Sequence, residues 1–144
     1  MKQLIGLFFL VSLMTSCKGV KGGSAQNTAH GVSLLEGNWE LEYIASASSL
    51  EALYSKQVPE MRIEVGKNTI SGQDGCNRYS GTFQSEGNQF QVDTWSMIST
   101  KMFCEGGGGQ AFTGSLGRVD SYVVTDGKLE LKAGAEVVLR FHRK

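Results

Sequence analysis

Residues 61–72, with the sequence MRIEVGKNTISG, contain the pattern that decides the fold. Met61, Ile63 and Val65 alternate with charged residues, as in a strand with one buried face. The next three residues, Gly66-Lys67-Asn68, have the composition of a tight turn, and residues 69–72 form the returning strand. The stretch therefore predicts an antiparallel hairpin.

The same alternation recurs on both sides of this hairpin. Candidate strands cover residues 39–43, 61–65, 69–72, 78–83, 89–92, 121–125, 128–131 and 137–142. Asp126-Gly127, between two of them, favours a type I′ turn. With 19 glycines and one proline in 144 residues, the chain has the composition of a small antiparallel β-protein.

Only one stretch has a clear helical pattern. Phe112, Leu116 and Val119 stand at positions i, i+4 and i+7, the spacing of an apolar helix face. Gly114 and Gly117 weaken this helix, so it needs packing against a sheet. A weaker helical turn is predicted within residues 48–56.

Two kinds of side chain in the strand patterns could suggest a ligand. Trp39 and Trp95 could stack a ligand, but aromatic residues in strands are more often part of the core, and we expect both to be buried. His142 lies in an alternating strand and is predicted to be an outward-facing polar residue.

The N-terminus has the pattern of an export signal. Lys2 is followed by the apolar run LIGLFFLVSLM at residues 4–14, which is too short to span a bilayer. Residues 14–17, Met-Thr-Ser-Cys, resemble the lipobox of bacterial lipoproteins, in which the cysteine thiol is acylated. We expect a signal peptide at residues 1–16 and lipidation of Cys17; an ordinary cleaved signal is the alternative.

The rest of the chain is expected to be one tethered domain. Residues 17–33 are rich in glycine and small polar residues and are predicted to be a flexible tether, and residues 34–144 the domain. Without residues 1–16 the chain has 13 basic and 14 acidic residues, which gives no basic surface for nucleic acid. We therefore predict a bacterial cell-envelope protein held at the membrane by its lipid, with the periplasmic side of the outer membrane favoured.

Two cysteines remain if Cys17 carries lipid. Cys76 and Cys104 would lie in an oxidising compartment, where a disulfide is expected. Neither lies in a Cys-x-x-Cys motif, and neither has a second Cys or His at metal-ligand spacing. We therefore predict a structural crosslink, with no metal site and no cofactor.

No catalytic residue can be nominated from the sequence. Gly106, Gly108 and Ala111 formally match a dinucleotide-binding fingerprint, but the buried strand and βαβ unit that this motif requires are missing. A glycine-rich loop is the better interpretation. There is no G-x-S-x-G motif, and the carboxylates are scattered singly among basic residues.

The strongest motif combines residues 72–81, GQDGCNRYSG, with residues 99–104, STKMFC. Its glycines permit positive φ, and its Asp and Asn side chains can bond neighbouring amides in tight turns. Together with Leu35-x-Gly37-x-Trp39 and the helix and strand that follow, this combination resembles the META/HslJ-like domain family. The motif positions that carry the resemblance are Gly72, Gly75, Asn77, Gly81, Thr100 and Met102.

The resemblance implies a mainly β fold, namely a curved antiparallel sheet or partial β-barrel with one short helix packed on it. It also implies an association with heat shock, envelope stress and antibiotic tolerance, and it carries no established catalytic residues. Residues 106–109 depart from the family, in which this lead into the helix is usually more polar and acidic.

Three classes of function remain. We favour a non-enzymatic lipoprotein, a monomer, that supports the envelope under stress by contacting another envelope protein. The first alternative is a module that binds a small apolar ligand or peptide within a curved sheet, unless side chains such as Phe83 and Phe90 fill the interior. The second alternative is an enzyme, which would require polar groups to converge in a cleft.

Overall fold

The computed structural model describes residues 31–144. The nine strands among them are β1 (Gly37–Ile44), β2 (Glu60–Glu64), β3 (Thr69–Gln73), β4 (Arg78–Glu86), β5 (Gln89–Val92), β6 (Ile98–Ser99), β7 (Ser121–Thr125), β8 (Lys128–Ala133) and β9 (Glu136–Arg143). Two short helices, α1 (Leu50–Leu53) and α2 (Gly108–Leu116), one 3-10 turn (Val65–Lys67) and helical residues at 31–33 complete this part. The predicted signal peptide, Cys17 and the tether up to residue 30 lie outside the described residues.

The strands form a closed antiparallel barrel. Neighbouring strands follow the order β3-β2-β1-β9-β8-β7-β5-β4, and β4 pairs back with β3 to complete a ring of eight. The short β6 pairs with β4 alone. The mainly β prediction is thus confirmed, and the ring closes fully where the family resemblance implied a curved sheet or partial barrel.

The interior of the barrel is filled by side chains. Trp39 is fully buried, and its indole nitrogen donates a hydrogen bond to the Leu35 carbonyl (2.9 Å). Phe83 and Phe90 stack with ring centroids 5.0 Å apart. Other fully buried large side chains include Leu35, Phe112, Phe141, Leu41, Ile44, Met61, Ile63, Ile70, Leu116, Leu129, Leu131 and Leu139. Each such side chain stabilises the fold by about 1.5–3 kcal/mol relative to exposure.

The structure confirms the helical patterns and shifts their bounds. α2 begins at Gly108, after Gly107 in the left-handed region (φ 71°). It ends at Leu116, so Val119 lies beyond the helix, although it is still buried. α1 is capped by the Ser49 hydroxyl, which accepts a hydrogen bond from the Ala52 amide.

The prediction that Trp95 lies in the core is wrong, because its side chain is 99% exposed. Val92 pairs with Phe83 and Ile98 pairs with Ser80, so five residues of the outer chain (93–97) face two of β4 (81–82). The excess residues loop outward. The Asp93 carboxylate holds this loop by accepting hydrogen bonds from the Trp95 amide (3.2 Å) and the Ser96 amide (3.3 Å).

The barrel has two distinguishable rims. The lower rim carries the turns at 65–68, 87–88 and 126–127, and the N-terminal segment arrives there. The Arg143 side chain fixes that segment by donating hydrogen bonds to the carbonyls of Leu34 and Glu36 (2.7 Å each). The Arg143 amide donates a hydrogen bond to the Gly127 carbonyl. The upper rim carries the turn at 74–77, α1, the start of α2 and residues 98–103. The nine residues of β4 run between the rims, a distance of up to about 30 Å.

Candidate functional site

The turn between β3 and β4, residues 74–77, is here called the motif turn. Asp74 is buried, and its Oδ1 accepts hydrogen bonds from the amides of Cys76 (2.9 Å) and Asn77 (2.6 Å). The Asp74 amide in turn donates to the Asn77 carbonyl (2.9 Å). Gly75 supplies a backbone in the left-handed region (φ 90°). These bonds fix the direction in which the Asn77 side chain projects.

Two tyrosines support the motif turn from below. The Tyr54 hydroxyl donates to the Gly108 carbonyl (2.9 Å), and the Tyr79 hydroxyl donates to the Glu60 carbonyl (3.1 Å). Burial and the nearby Asp74 carboxylate raise the pKa of both phenols. Both hydroxyls therefore stay protonated and act as hydrogen-bond donors within the fold.

Asn77 ties the motif turn to the segment after β6. Its Oδ1 accepts hydrogen bonds from the Thr100 hydroxyl (2.8 Å) and the Met102 amide (2.7 Å), and its Nδ2 donates to the Met102 carbonyl (3.2 Å). Three of the predicted motif positions, Asn77, Thr100 and Met102, thus meet at one place. The Asn77 side chain thereby links the backbone of the motif turn to the backbone at residue 102.

The predicted disulfide is present between Cys76 and Cys104, with an S–S distance of 2.03 Å. It joins the motif turn to Cys104, two residues after Met102, where the Asn77 contacts end. The turn and the segment 100–104 are therefore linked both covalently and by hydrogen bonds.

The remaining motif glycines permit close approach. A Cβ at Gly72 would overlap the Glu60 carbonyl oxygen, and one at Gly81 would lie 2.6 Å from Cγ of Met97. In the loop at 106–109, Gly106 and Gly107 have φ of 94° and 71°, and a Cβ at Gly108 would overlap the Tyr54 ring. These glycines allow the backbone to adopt positive φ or to pass close to neighbouring atoms.

Residues 98–103, here called the edge segment, consist of β6 and the four residues that follow it, and alternate residues bond β4 or the motif turn. Thr100 exchanges hydrogen bonds with Arg78, through its amide to the carbonyl (3.1 Å) and from the Arg78 amide to its hydroxyl (3.2 Å). Because backbone groups alternate in direction along a strand, residues 98, 100 and 102 face β4 and the motif turn. The amides and carbonyls of Ser99, Lys101 and Phe103 therefore point to the opposite side, where β6 has no neighbouring strand.

Four large apolar side chains are exposed on and beside the edge segment. Their exposed fractions are 99% for Trp95, 75% for Ile98, 61% for Met102 and 92% for Phe103. An open cleft of about 1130 Å³ lies between the edge segment and the Gln110, Thr113 and Gly114 side of α2. Sequence reasoning identified Met102 only as a motif position and missed Ile98 and Phe103, although they lie in a polar stretch with no alternation that would bury them.

Other expected or excluded groups are placed as follows. His142 faces outward from β9, with its ring nitrogens 3.6 Å and 3.8 Å from carboxylate oxygens of Glu40 and Glu42. Within residues 31–144, no three His, Cys, Asp or Glu residues come together as a metal site would require. No helix among these residues has the length and apolarity needed to cross a bilayer.

Comparison with known proteins yields a family and a fold. The META domain family profile matches residues 32–144. A protein from Burkholderia xenovorans solved by NMR has a TM-score of 0.60 at 23% identity, covering 78% of this chain and 86% of its own. A DUF4847 family protein from Bacteroides vulgatus, solved by crystallography, has a TM-score of 0.53 at 15% identity, covering 77% and 94%. No curated protein sequence matches significantly.

Proposed function

Because this chain belongs to the META domain family, we propose that it is a lipid-anchored protein of the bacterial cell envelope that acts by contacting another envelope protein under stress. It works without catalysing a reaction. The anchor is the acylated Cys17, and the stress role follows from what the family resemblance implies.

The observation that carries this proposal is the chemical division of the upper rim. The polar side chains of the motif, Asn77 and Thr100, are engaged in internal hydrogen bonds. Beside them, Ile98 and Phe103 hold large apolar side chains in solvent, and Trp95 does so in the neighbouring loop. Exposed apolar patches on soluble domains mark surfaces that contact other molecules. A rim of this kind suits a contact function.

The position of the rim also supports the proposal. The N-terminal segment arrives at the lower rim, where Arg143 bonds the Leu34 carbonyl. A lipid anchor at Cys17 therefore holds the barrel from the end opposite to Phe103. The upper rim is then presented away from the anchor, toward proteins of the same compartment.

The anchor is tested separately from the function. Full-length protein purified from membranes should have the mass of a chain that begins at an acylated Cys17. Cys17→Ser should release the protein into the soluble fraction without changing its melting temperature. An unacylated native protein that is freely soluble after export would contradict the proposal.

The contact function is tested in cells. Deleting the gene should raise sensitivity to heat or membrane-active drugs, and wild-type protein should restore tolerance. The double variant Trp95→Ala/Phe103→Ala should fail to restore it, whereas Val123→Ala, at another exposed apolar position, should succeed. Full tolerance in the deletion strain would contradict the stress role.

A second candidate function is binding of a small ligand or peptide, and the cleft beside α2 favours it. The interior of the barrel does not serve this purpose, since Trp39, Phe83, Phe90 and Phe112 occupy it. A small ligand in the cleft would be displaced by Gly114→Phe on α2, because this glycine lines the cleft. Thermal-shift screening of small molecules against wild type and that variant tests this second function, since a cleft ligand should raise the melting temperature of the wild type alone.

A further inference from the structure

The edge segment carries unpaired backbone groups at the one strand that lies outside the barrel ring. The amides and carbonyls of Ser99, Lys101 and Phe103 point away from β4, and within residues 31–144 neither Lys101 nor Phe103 takes part in a hydrogen bond or ion pair. An unpaired edge of this kind is a template for another extended chain. We propose that the edge segment binds an extended segment of another envelope protein as an added β-strand, with an acidic residue opposite Lys101 and apolar residues beside it.

The space for such a strand is present. The open cleft of about 1130 Å³ lies between the edge segment and α2. On the α2 side, residues Thr113 and Gly114 are small and leave room for a backbone. Main-chain hydrogen bonds to residues 99, 101 and 103 would give affinity, and side-chain contacts would give specificity.

Apolar side chains flank the free edge on both of its faces. Ile98 and Met102 project on one face of the extended segment, and Phe103 projects on the other because side chains alternate along a strand. All three are largely exposed. An added strand would therefore cover them with its own apolar residues on both faces.

The charge of Lys101 selects among the possible occupants. A second copy paired antiparallel across residue 101 would place two lysines directly opposite each other, which is destabilising. The segment 18–30 of this chain is a second poor occupant. It contains two lysines and no carboxylate, and the chain that follows it arrives at the lower rim. A bilayer is also a poor occupant, because the free amides and carbonyls would be unsatisfied in hydrocarbon. A partner strand with a carboxylate opposite Lys101 meets all these conditions.

This inference rests on the proposed contact function, and its test separates the two. The probe is a displayed library of linear nonapeptides, selected on the full chain in mild detergent. Selected peptides should share an acidic residue flanked by apolar or β-branched ones. N-methylation of alternate amides in a selected peptide should weaken binding about tenfold or more, since it removes several main-chain hydrogen bonds.

Variants of the protein complete the test. Lys101→Glu should weaken binding of the selected acidic peptide, and replacing its carboxylate by lysine should restore binding to that variant. Phe103→Ala should weaken binding, whereas Lys132→Glu on β8 and Val123→Ala on β7 should leave it unchanged. These positions are exposed or half-exposed and lie in no hydrogen-bonded side-chain network, so melting temperatures should stay constant.

Several outcomes would overturn the added strand. They are the absence of any selected peptide, tolerance of N-methylation at alternate amides, self-association that Lys101→Glu strengthens, and binding to protein-free vesicles that Phe103→Ala abolishes. If the added strand fails while Trp95→Ala/Phe103→Ala still loses stress tolerance in cells, the contact function stands and only its mode is wrong.

Discussion

Asn77 shows how one side chain can determine the shape of the upper rim. A single planar amide presents an acceptor to Thr100 and Met102 and a donor back to Met102, so it pairs two stretches 23–25 residues apart. The sequence indicated a conformational role for the motif, because Gly, Asp and Asn are turn residues. It could not indicate the partner of the amide, which is set by tertiary structure.

Replacing this amide should loosen the rim without unfolding the barrel. We expect Asn77→Ala to lower the free energy of unfolding by about 1–2 kcal/mol, because three partly exposed hydrogen bonds are lost. Chemical denaturation measures the change. Asn38→Ala is the matched control, since Asn38 is exposed on β1 and its side chain makes no hydrogen bond. Equal effects of the two substitutions would show that the Asn77 contacts contribute nothing.

Asp120 makes a second residue-scale prediction, one that depends on pH. Its carboxylate accepts hydrogen bonds from the Ser121 hydroxyl and the Gly134 amide (2.7 Å each), and these hold its pKa below the ordinary 3.8. A lowered pKa in the folded state contributes stability above the unfolded value that is lost as the pH falls through the folded value. Asp120→Asn should therefore lower the melting temperature at pH 7, and the difference should shrink below about pH 3.8.

The control for this prediction is another aspartate in a turn. Within residues 31–144 the Asp126 side chain accepts no hydrogen bond, so Asp126→Asn should lower the melting temperature at pH 7 much less than Asp120→Asn does. A wild-type advantage over Asp120→Asn that stays constant down to pH 2 would contradict the role of the carboxylate.

At the scale of elements, the alternating pattern predicted every long strand. In a strand, every second side chain points to the same face, so alternating apolar residues form a face that must be buried. The pattern failed at residues 93–97, where three extra residues relative to β4 form a loop and turn Trp95 outward. A bulge depends on the register between two strands, and one strand's sequence does not contain that register. For the same reason, the sequence could not indicate that Ser99, Lys101 and Phe103 form a free edge, because this depends on which strands pair.

The glycines of α2 give an element-scale prediction with an internal control. Gly114 has open space around its Cα, so Gly114→Ala should stabilise the protein by about 0.5–1 kcal/mol through helix propensity. At Gly109 a Cβ would lie 2.8 Å from Oδ2 of Asp74, a carboxylate already held by two amides. Gly109→Ala should therefore destabilise. Thermal unfolding of both variants tests this, and a gain at position 109 would show that α2 sits farther from the motif turn.

At the scale of the whole molecule, closure of the barrel depends on contacts between distant parts of the chain. β1 pairs with β9, and β3 pairs with β4. The ring is completed by β5 and β7, which pair at a single pair of residues. The sequence predicts hairpins between neighbours, such as β7–β8, but not the pairing of the first strand with the last. The prediction of a curved sheet came from the family resemblance, which is carried by residues 72–81 and 99–104. Local sequence patterns do not contain that information.

The disulfide tests how far the closed ring is stable by itself. Cys76 and Cys104 enclose a loop of about 29 residues, so their replacement by serine should lower stability by roughly 3.5 kcal/mol in the chain-entropy treatment. That corresponds to a fall in melting temperature of about 10 °C. The fold should persist, because the buried core lies in the ring and not at the bond.

The Asn77 contacts decide what happens to the edge segment once the disulfide is gone. Both links hold residues 100–104 to the motif turn, so their effects should be coupled. Asn77→Ala should cost more in the serine background than in the crosslinked protein, where the bond still keeps the segment near. Denaturation of the four members of this double-mutant cycle measures the coupling, and strict additivity would mean that the two links stabilise different parts of the rim.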